Sequence, residues 1–280
     1  MQNLSGRHAV ITGGSSGIGL ATAHALGRRG ARLTLLARRT EVLDQAVEEL
    51  AADGIEATGR SVDVSDHPAL DAAMADAVTE RGPVDVLVCS AGLAQPGYFE
   101  QLDDDVFRQM MEVDYFGTLW SIRAVVDSMI ERRTGSIVGV SSAAGIIGVF
   151  GYTAYGPAKF AVRGLLEALR AELAPYGIHV ACCYPPDVDT PQLAYENQFK
   201  PDETRAISGS IQPISADRVA ECILAGIDHR RFALIPDRGT RLLWAGSGVA
   251  PRVITAVTDR AAAKARARRP AGTDPDAPRP

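Results

Sequence analysis

Groups suited to metal or disulfide chemistry are scarce in this 280-residue chain. It has four cysteines, Cys89, Cys182, Cys183 and Cys222, with no CxxC pair, and five histidines without HxxxH spacing. No metal site is indicated. Three of the cysteines fall in apolar runs that read as buried strands, where free thiols suit a reducing compartment. Positive charge is short as well: a formal net charge of -5 leaves no electrostatic footprint for a duplex and argues against nucleic acid as principal partner. Met1, Gln2 and Asn3 lead directly into a strand, without the charged and apolar regions of a secretory signal, so a cytoplasmic location is expected. What remains is ordinary globular material, 46% hydrophobic and 22% charged.

Short runs rich in β-branched residues occupy 8–12, 32–37, 57–64, 84–91, 136–142, 179–185 and 232–236. Between them lie Ala/Leu-rich stretches such as 41–52 and 70–80, with apolar residues three and four apart, as in helices that cover a sheet. Several runs are apolar almost throughout, which fits strands buried on both faces. The alternation predicts one α/β domain over 1–238, a Rossmann-type doubly wound parallel sheet of about seven strands with helices on both faces. It loosens at 186–214, which carries prolines 186, 191, 201 and 213 and sits where a substrate lid belongs.

Directly after the first run comes Thr12-Gly13-Gly14-Ser15-Ser16-Gly17-Ile18-Gly19, opening a helix. Glycines let a backbone approach a pyrophosphate, while the free N–H groups and dipole of a helix start favour its charge. Strand, glycines and helix in that order predict a dinucleotide site with Gly13, Ser15, Ser16, Gly17, Ile18 and Gly19 as contacts. About twenty residues on, where a carboxylate would hold an NAD ribose, the chain reads Ala37-Arg38-Arg39. An arginine there suits a 2′-phosphate, so NADPH is favoured, with Arg38 the stronger candidate and Arg39 open to being a solvated surface residue. Asp63, followed by Val64, either accepts a hydrogen bond from the adenine amine or closes a turn.

Tyr155 and Lys159 stand four apart on a predicted helix, so phenol and ammonium share one face. A free phenol titrates near 10 and is a poor acid or base at neutral pH; a nearby positive charge is expected to lower it. Ser142, at the end of the fifth run, can donate a hydrogen bond to a carbonyl oxygen as charge builds there. These residue types suit hydride transfer to a ketone, with Tyr155 moving the proton.

Together these pieces resemble the short-chain dehydrogenase/reductase family over roughly residues 5–237. The resemblance implies that Tyr155 is the general acid/base and that Lys159 tunes it and binds the nicotinamide ribose. It also implies that Ser142 orients the substrate oxygen and that Ala91, Gly92, Pro185, Val188 and Thr190 contact the dinucleotide. Two positions depart from the family pattern: its Asn-Ala-Gly is Ser90-Ala91-Gly92 here, and the helical asparagine of its catalytic tetrad is Asp114. A narrower similarity rests on Tyr184-Pro185-Pro186-Asp187-Val188-Asp189-Thr190-Pro191 and on Tyr195-Glu196-Asn197 with Lys200-Pro201. It points to the branch that reduces 3-ketodihydrosphingosine, a lipid-like ketone carrying an ammonium beside the carbonyl. By it, Asp187 or Asp189 either faces that ammonium or caps a helix. Other bulky ketones (steroid, retinoid, acyl) and a non-catalytic NADP-binding role are the alternatives.

The extension 239–269 places Leu242, Leu243, Trp244, Val249, Val253, Ile254 and Val257 ahead of Lys264, Arg266, Arg268 and Arg269. Its longest charge-free apolar stretch, 242–251, falls far short of the roughly 20 residues of a spanning helix. It either rests on an anionic membrane surface or packs on the domain. The Pro/Ala/Asp-rich 270–280 reads as a disordered tail. By resemblance, helices over 104–130 and 153–174 pair the chain into a homodimer or homotetramer.

Overall fold

The first strand, β1 (His8–Thr12), is buried at all five residues, which demands an apolar layer on each of its faces. The computed structural model, which describes residues 4–208, 212–249, 259–260 and 263–264, supplies both layers. Strands β2 (Arg32–Ala37), β3 (Ala57–Ser61), β4 (Val86–Cys89), β5 (Ser136–Val140) and β6 (His179–Cys183) join β1 in one sheet. The short β9 (Ala233–Leu234) closes it, following β7 (Val188–Asp189) and β8 (Ile214–Ser215) in the chain. The order is β3-β2-β1-β4-β5-β6-β9, all parallel. Between β1 and β4 the order reverses, and ligands of such sheets bind at the carboxyl edge of that switch point.

Because successive side chains point to opposite faces, each strand feeds two cores. Ile11, Leu33, Leu35 and Val88 meet one layer, formed by helices α1 (Gly17–Gly27), α2 (Thr40–Ala52) and α9 (Ala216–His229). Val10, Leu36, Leu87 and Ile137 meet the other, formed by α3 (His67–Arg81), α5 (Gly117–Arg132) and α6 (Tyr155–Leu173). Each leucine buried in these layers contributes about 1.5–3 kcal/mol. Local punctuation agrees with the layers: Asp66 caps α3 by accepting from the Ala69 N–H at 3.1 Å, and Gly82 ends it.

Three departures from the sequence reading bear on the site, beyond strand ends that stop a residue or two short of the predicted runs. The strand expected over 57–64 stops at Ser61, because Asp63 folds a turn back onto Ser65. The helix expected over 104–130 is α4 (Asp104–Met110) and α5, joined by a π-helical turn, Met111–Phe116. An extra residue in one turn leaves no mark on hydrophobic periodicity, and such turns cluster at functional sites; Asp114 lies within it. The irregular 186–214 holds β7, α7 (Pro191–Glu196), α8 (Asp202–Ser208) and β8, with β7 paired parallel to β8 outside the main sheet.

The start of the C-terminal extension packs on the domain. In α10 (Arg238–Val249) the Trp244 ring lies 4.7 Å from that of Tyr184, and the Arg163 guanidinium sits 4.6 Å from the Trp244 ring. Val253, Ile254 and Val257, the arginines 266, 268 and 269, and the tail 270–280 lie outside the described residues. Among the described residues, no helix is long and apolar enough to cross a membrane, and no His, Cys, Asp and Glu cluster could hold a metal.

Candidate active site

A cleft of about 600 Å³ opens at the switch point. On one side the chain turns from β1 into α1. Gly13 has φ +67°, donates its N–H to the Leu36 carbonyl at 2.8 Å, and leaves no room for a side chain: a Cβ would lie 2.8 Å from Ala91 N. The Thr12 hydroxyl ties the same spot from beneath by accepting from the Ala91 N–H at 3.2 Å. Ser16 is the extended N-cap of α1, and its hydroxyl makes no capping bond. The first-turn N–H groups of a helix have no partner within it, so this mouth presents donors to an anion. Gly13, Ser15, Ser16, Gly17 and Ile18 all line the cleft, whereas Gly19 lies behind them against the Gly13 carbonyl. The cradle fits a dinucleotide pyrophosphate.

Arg38 and Arg39 follow β2 and line the cleft, as do Ala91 and Gly92. Arg38 Nη1 stands 3.5 Å from Asp63 Oδ2, with the arginine side chain 55% exposed. Asp63 does close a turn: its Oδ1 accepts from the Ser65 N–H at 3.0 Å and hydroxyl at 2.7 Å. Burial alone would raise its carboxyl, but those bonds and Arg38 prevail and hold it below its ordinary value. Val64 packs beneath Gly117. Pro185, Val188 and Thr190 also line the cleft, with Thr190 against Gly17; Thr190 caps α7, accepting from the Leu193 N–H at 3.3 Å.

Ser142, Tyr155, Lys159 and Asp114 come together behind this mouth. Ser142 follows β5 as an extended N-cap whose hydroxyl accepts from the Ala144 N–H at 3.1 Å, and it lines the cleft with Tyr155. Tyr155 opens α6, and one helical turn later the Lys159 ammonium sits 5.4 Å from its ring. Lys159 is 4% exposed and donates to the Val140 carbonyl at 3.2 Å. Its counter-ion is Asp114, fully buried, with Oδ1 at 3.2 Å from Lys159 Nζ and accepting from the Leu93 N–H at 3.1 Å. Asp114 Oδ2 has no hydrogen-bond partner among the described residues. Burial therefore raises the Asp114 carboxyl, against the pull of Lys159 and of the Leu93 hydrogen bond. The Asp114 carbonyl accepts from the Thr118 hydroxyl at 2.8 Å.

Sequence reasoning expected Lys159 to lower the Tyr155 phenol, and here the direction is reversed. Burial pushes it well above its ordinary value, Glu196 and Asp114 push it further, and the Ser142 hydrogen bond opposes them. The Lys159 ammonium is paired with Asp114 at 3.2 Å, and burial with these carboxylates favours the neutral phenol.

The ammonium-facing candidates fare differently from the sequence reading. Asp187 lines the cleft but is ion-paired to the buried Lys200 at 3.0 Å. Asp189 is exposed, and neither residue caps α7. The residue missed was Glu196, which lines the cleft at 8% exposure. Its only signal was its place in the Tyr195-Glu196-Asn197 string. Burial raises its carboxyl above the usual range.

The architecture and this cluster define a nicotinamide-dependent oxidoreductase. The family model described as short chain dehydrogenase matches residues 7–201, and the chain belongs to that family. It is 43% identical over 263 residues to the 3-dehydrosphinganine reductase of Danio rerio, covering 91% of this chain and 78% of that protein. It is also 43% identical over 254 residues to the 3-ketodihydrosphingosine reductase of Bos taurus, covering 89% and 76%. Among solved structures, a short-chain dehydrogenase from Streptomyces avermitilis superposes with a TM-score of 0.79 at 30% identity, covering 94% of this chain and 99% of that one. The actinorhodin polyketide ketoreductase with NADPH gives 0.73 at 33% identity, covering 84% and 96%.

Proposed function

We propose that this chain reduces the C3 ketone of 3-ketodihydrosphingosine to dihydrosphingosine, using NADPH. The observation that carries the reading is the Ser142, Tyr155 and Lys159 cluster in a cleft also lined by the apolar Ile147, Val149, Ile207 and Leu243, which suit an alkyl tail. The names of the relatives in fish and cattle support the substrate.

The glycine turn and Ser16 would hold the pyrophosphate, Arg38 the 2′-phosphate, and Lys159 and Thr190 the nicotinamide half; bound there, NADPH supplies a hydride. Ser142 and Tyr155 both present hydroxyls to the substrate oxygen. As the carbonyl carbon gains the hydride, the C=O π pair moves onto oxygen, and that oxygen takes the Tyr155 proton. Burial keeps the phenol protonated until then, and Lys159 stabilises the phenolate that is left. The wall of α7 and α8 acts as a lid that keeps water from the reacting carbon.

Two further parts belong to the reading. Leu242, 76% exposed on α10 beside Arg238 and Arg241, supports peripheral contact with an anionic membrane surface. Phe160, exposed on α6, supports pairing of copies through α5 and α6 into a dimer or tetramer.

The test is consumption of NADPH and, separately, NADH with 3-ketodihydrosphingosine and a panel of steroid, retinoid and acyl ketones, with product masses determined. The reading expects the sphingoid ketone with NADPH to give the highest kcat/KM. A steroid or retinoid preferred over it would replace the substrate, and a preference for NADH would remove Arg38 as the cofactor selector.

A further inference from the structure

The cleft wall formed by α7 and by Asp187 just ahead of β7 carries two carboxylates. Gln192 and Glu196, one helical turn apart, both face the cleft, and Gln192 donates to Glu196 Oε1 at 3.1 Å. From the opposite side the Tyr152 hydroxyl donates to Glu196 Oε2 at 3.0 Å. Each carboxylate oxygen is thus fixed by a neutral donor, so the group is oriented without being neutralised. The ammonium that acts on it, Lys200, is bonded to Asp187 at 3.0 Å. The wall has two carboxylates, Asp187 and Glu196, for one cation, and Glu196 has no ion pair among the described residues.

This surplus charge lies beside the chemistry. The Tyr152 ring is 5.6 Å from the Tyr155 ring, so a single tyrosine bridges the carboxylate and the proton-giving phenol. A buried carboxylate with fixed neutral partners and no cation is expensive unless a ligand supplies the cation. A 2-amino ketone does so: its ammonium is on the carbon next to the carbonyl, close to any group bonded to the carbonyl oxygen.

Resting on the reading given under Proposed function, we infer that Glu196, oriented by Tyr152 and Gln192, is the specificity residue that binds the ammonium beside the reacting ketone. Lys200 acts with it by occupying Asp187, which leaves one carboxylate for the ligand. The cleft thereby selects long-chain ketones with an α-ammonium over ketones of equal length without one.

The experiment compares kcat/KM for 3-ketodihydrosphingosine with that for the matched ketone carrying hydrogen in place of the amine, in the native protein and in Glu196→Gln. The substitution preserves size and an oxygen for Tyr152. The amino-to-deamino ratio is expected to fall about 30-fold or more, since removing one partner of a desolvated, hydrogen-bonded charge pair has effects of that order. The loss should appear mainly in the KM of the amino ketone. A ratio that moves less than about 3-fold overturns the assignment while leaving the reductase reading intact. If the native protein reduces neither ketone, the reductase reading falls and the assignment falls with it. A measurement on the native protein alone guards against a variant that does not fold: a long-chain primary amine should inhibit more strongly than the alcohol of the same chain length. Equal inhibition by the two also overturns the assignment.

Discussion

Replacing Asp114 by asparagine and by leucine separates the charge of this residue from its acceptor role. At 3.2 Å from Lys159, the Coulomb attraction is about 5 kcal/mol at an effective dielectric of about 20. Full burial costs an ion several kcal/mol, and the unpartnered Oδ2 recovers none of it. The raised carboxyl means that the second effect wins, so the charge returns less than it costs. Asparagine keeps an oxygen for the Leu93 N–H and for Lys159 and removes the buried charge. Asp114→Asn should therefore change unfolding free energy by no more than about 1 kcal/mol in urea titrations and leave turnover equal or mildly increased. Leucine strands a buried ammonium and a buried N–H, and Asp114→Leu should cost about 3–5 kcal/mol and weaken NADPH binding. The pH dependence has a definite sign. A carboxyl raised on folding binds its proton more tightly in the native state, so its contribution is greatest at low pH. The stability of the native protein relative to Asp114→Asn should then fall as pH rises above the ordinary carboxyl value of 3.8. An asparagine variant as damaged as the leucine one would refute this reasoning and assign the negative charge a role of its own.

Tyr155→Phe should bind NADPH as the native protein does and lose about 10²–10⁴ in turnover, read by fluorescence titration and by steady-state kinetics. Near-normal turnover would remove Tyr155 as proton donor. Gly92→Ala should impair cofactor affinity and turnover together, because the new methyl would lie 2.6 Å from Asp114 Oδ1 and 3.1 Å from Lys159 Nζ; unchanged kinetics would show that this pair tolerates displacement. Arg38→Asp should shift the NADPH-to-NADH ratio of kcat/KM toward NADH by about 10-fold or more, since a phosphate ligand becomes a group that repels phosphate. An unmoved ratio would exclude Arg38 as selector.

The features legible in the sequence are those set by neighbours along the chain. Strands such as β1 and β2 announce themselves as apolar runs, and the glycine turn as a break between strand and helix. Tyr155 and Lys159 are related by helical pitch, so their shared face follows from spacing alone. What stayed hidden depends on distant segments meeting. The π turn that carries Asp114 to Lys159 leaves the apolar pattern intact. Glu196 becomes a cleft residue only when α7 folds over Tyr152, and Asp187 loses its claim on a ligand cation only because Lys200, thirteen residues later, reaches it. The direction of the Tyr155 shift failed for the same reason: burial and the carboxylates of two remote segments outweigh the lysine one turn away.

The most direct test of the central claim follows a labelled hydride. With NADPH deuterated at the transferring position of its nicotinamide C4, the account predicts dihydrosphingosine carrying one deuterium, located at C3 by fragmentation mass spectrometry, and its formation almost abolished in Tyr155→Phe. Product without deuterium at C3, or no dihydrosphingosine from a folded protein that binds NADPH, would contradict it.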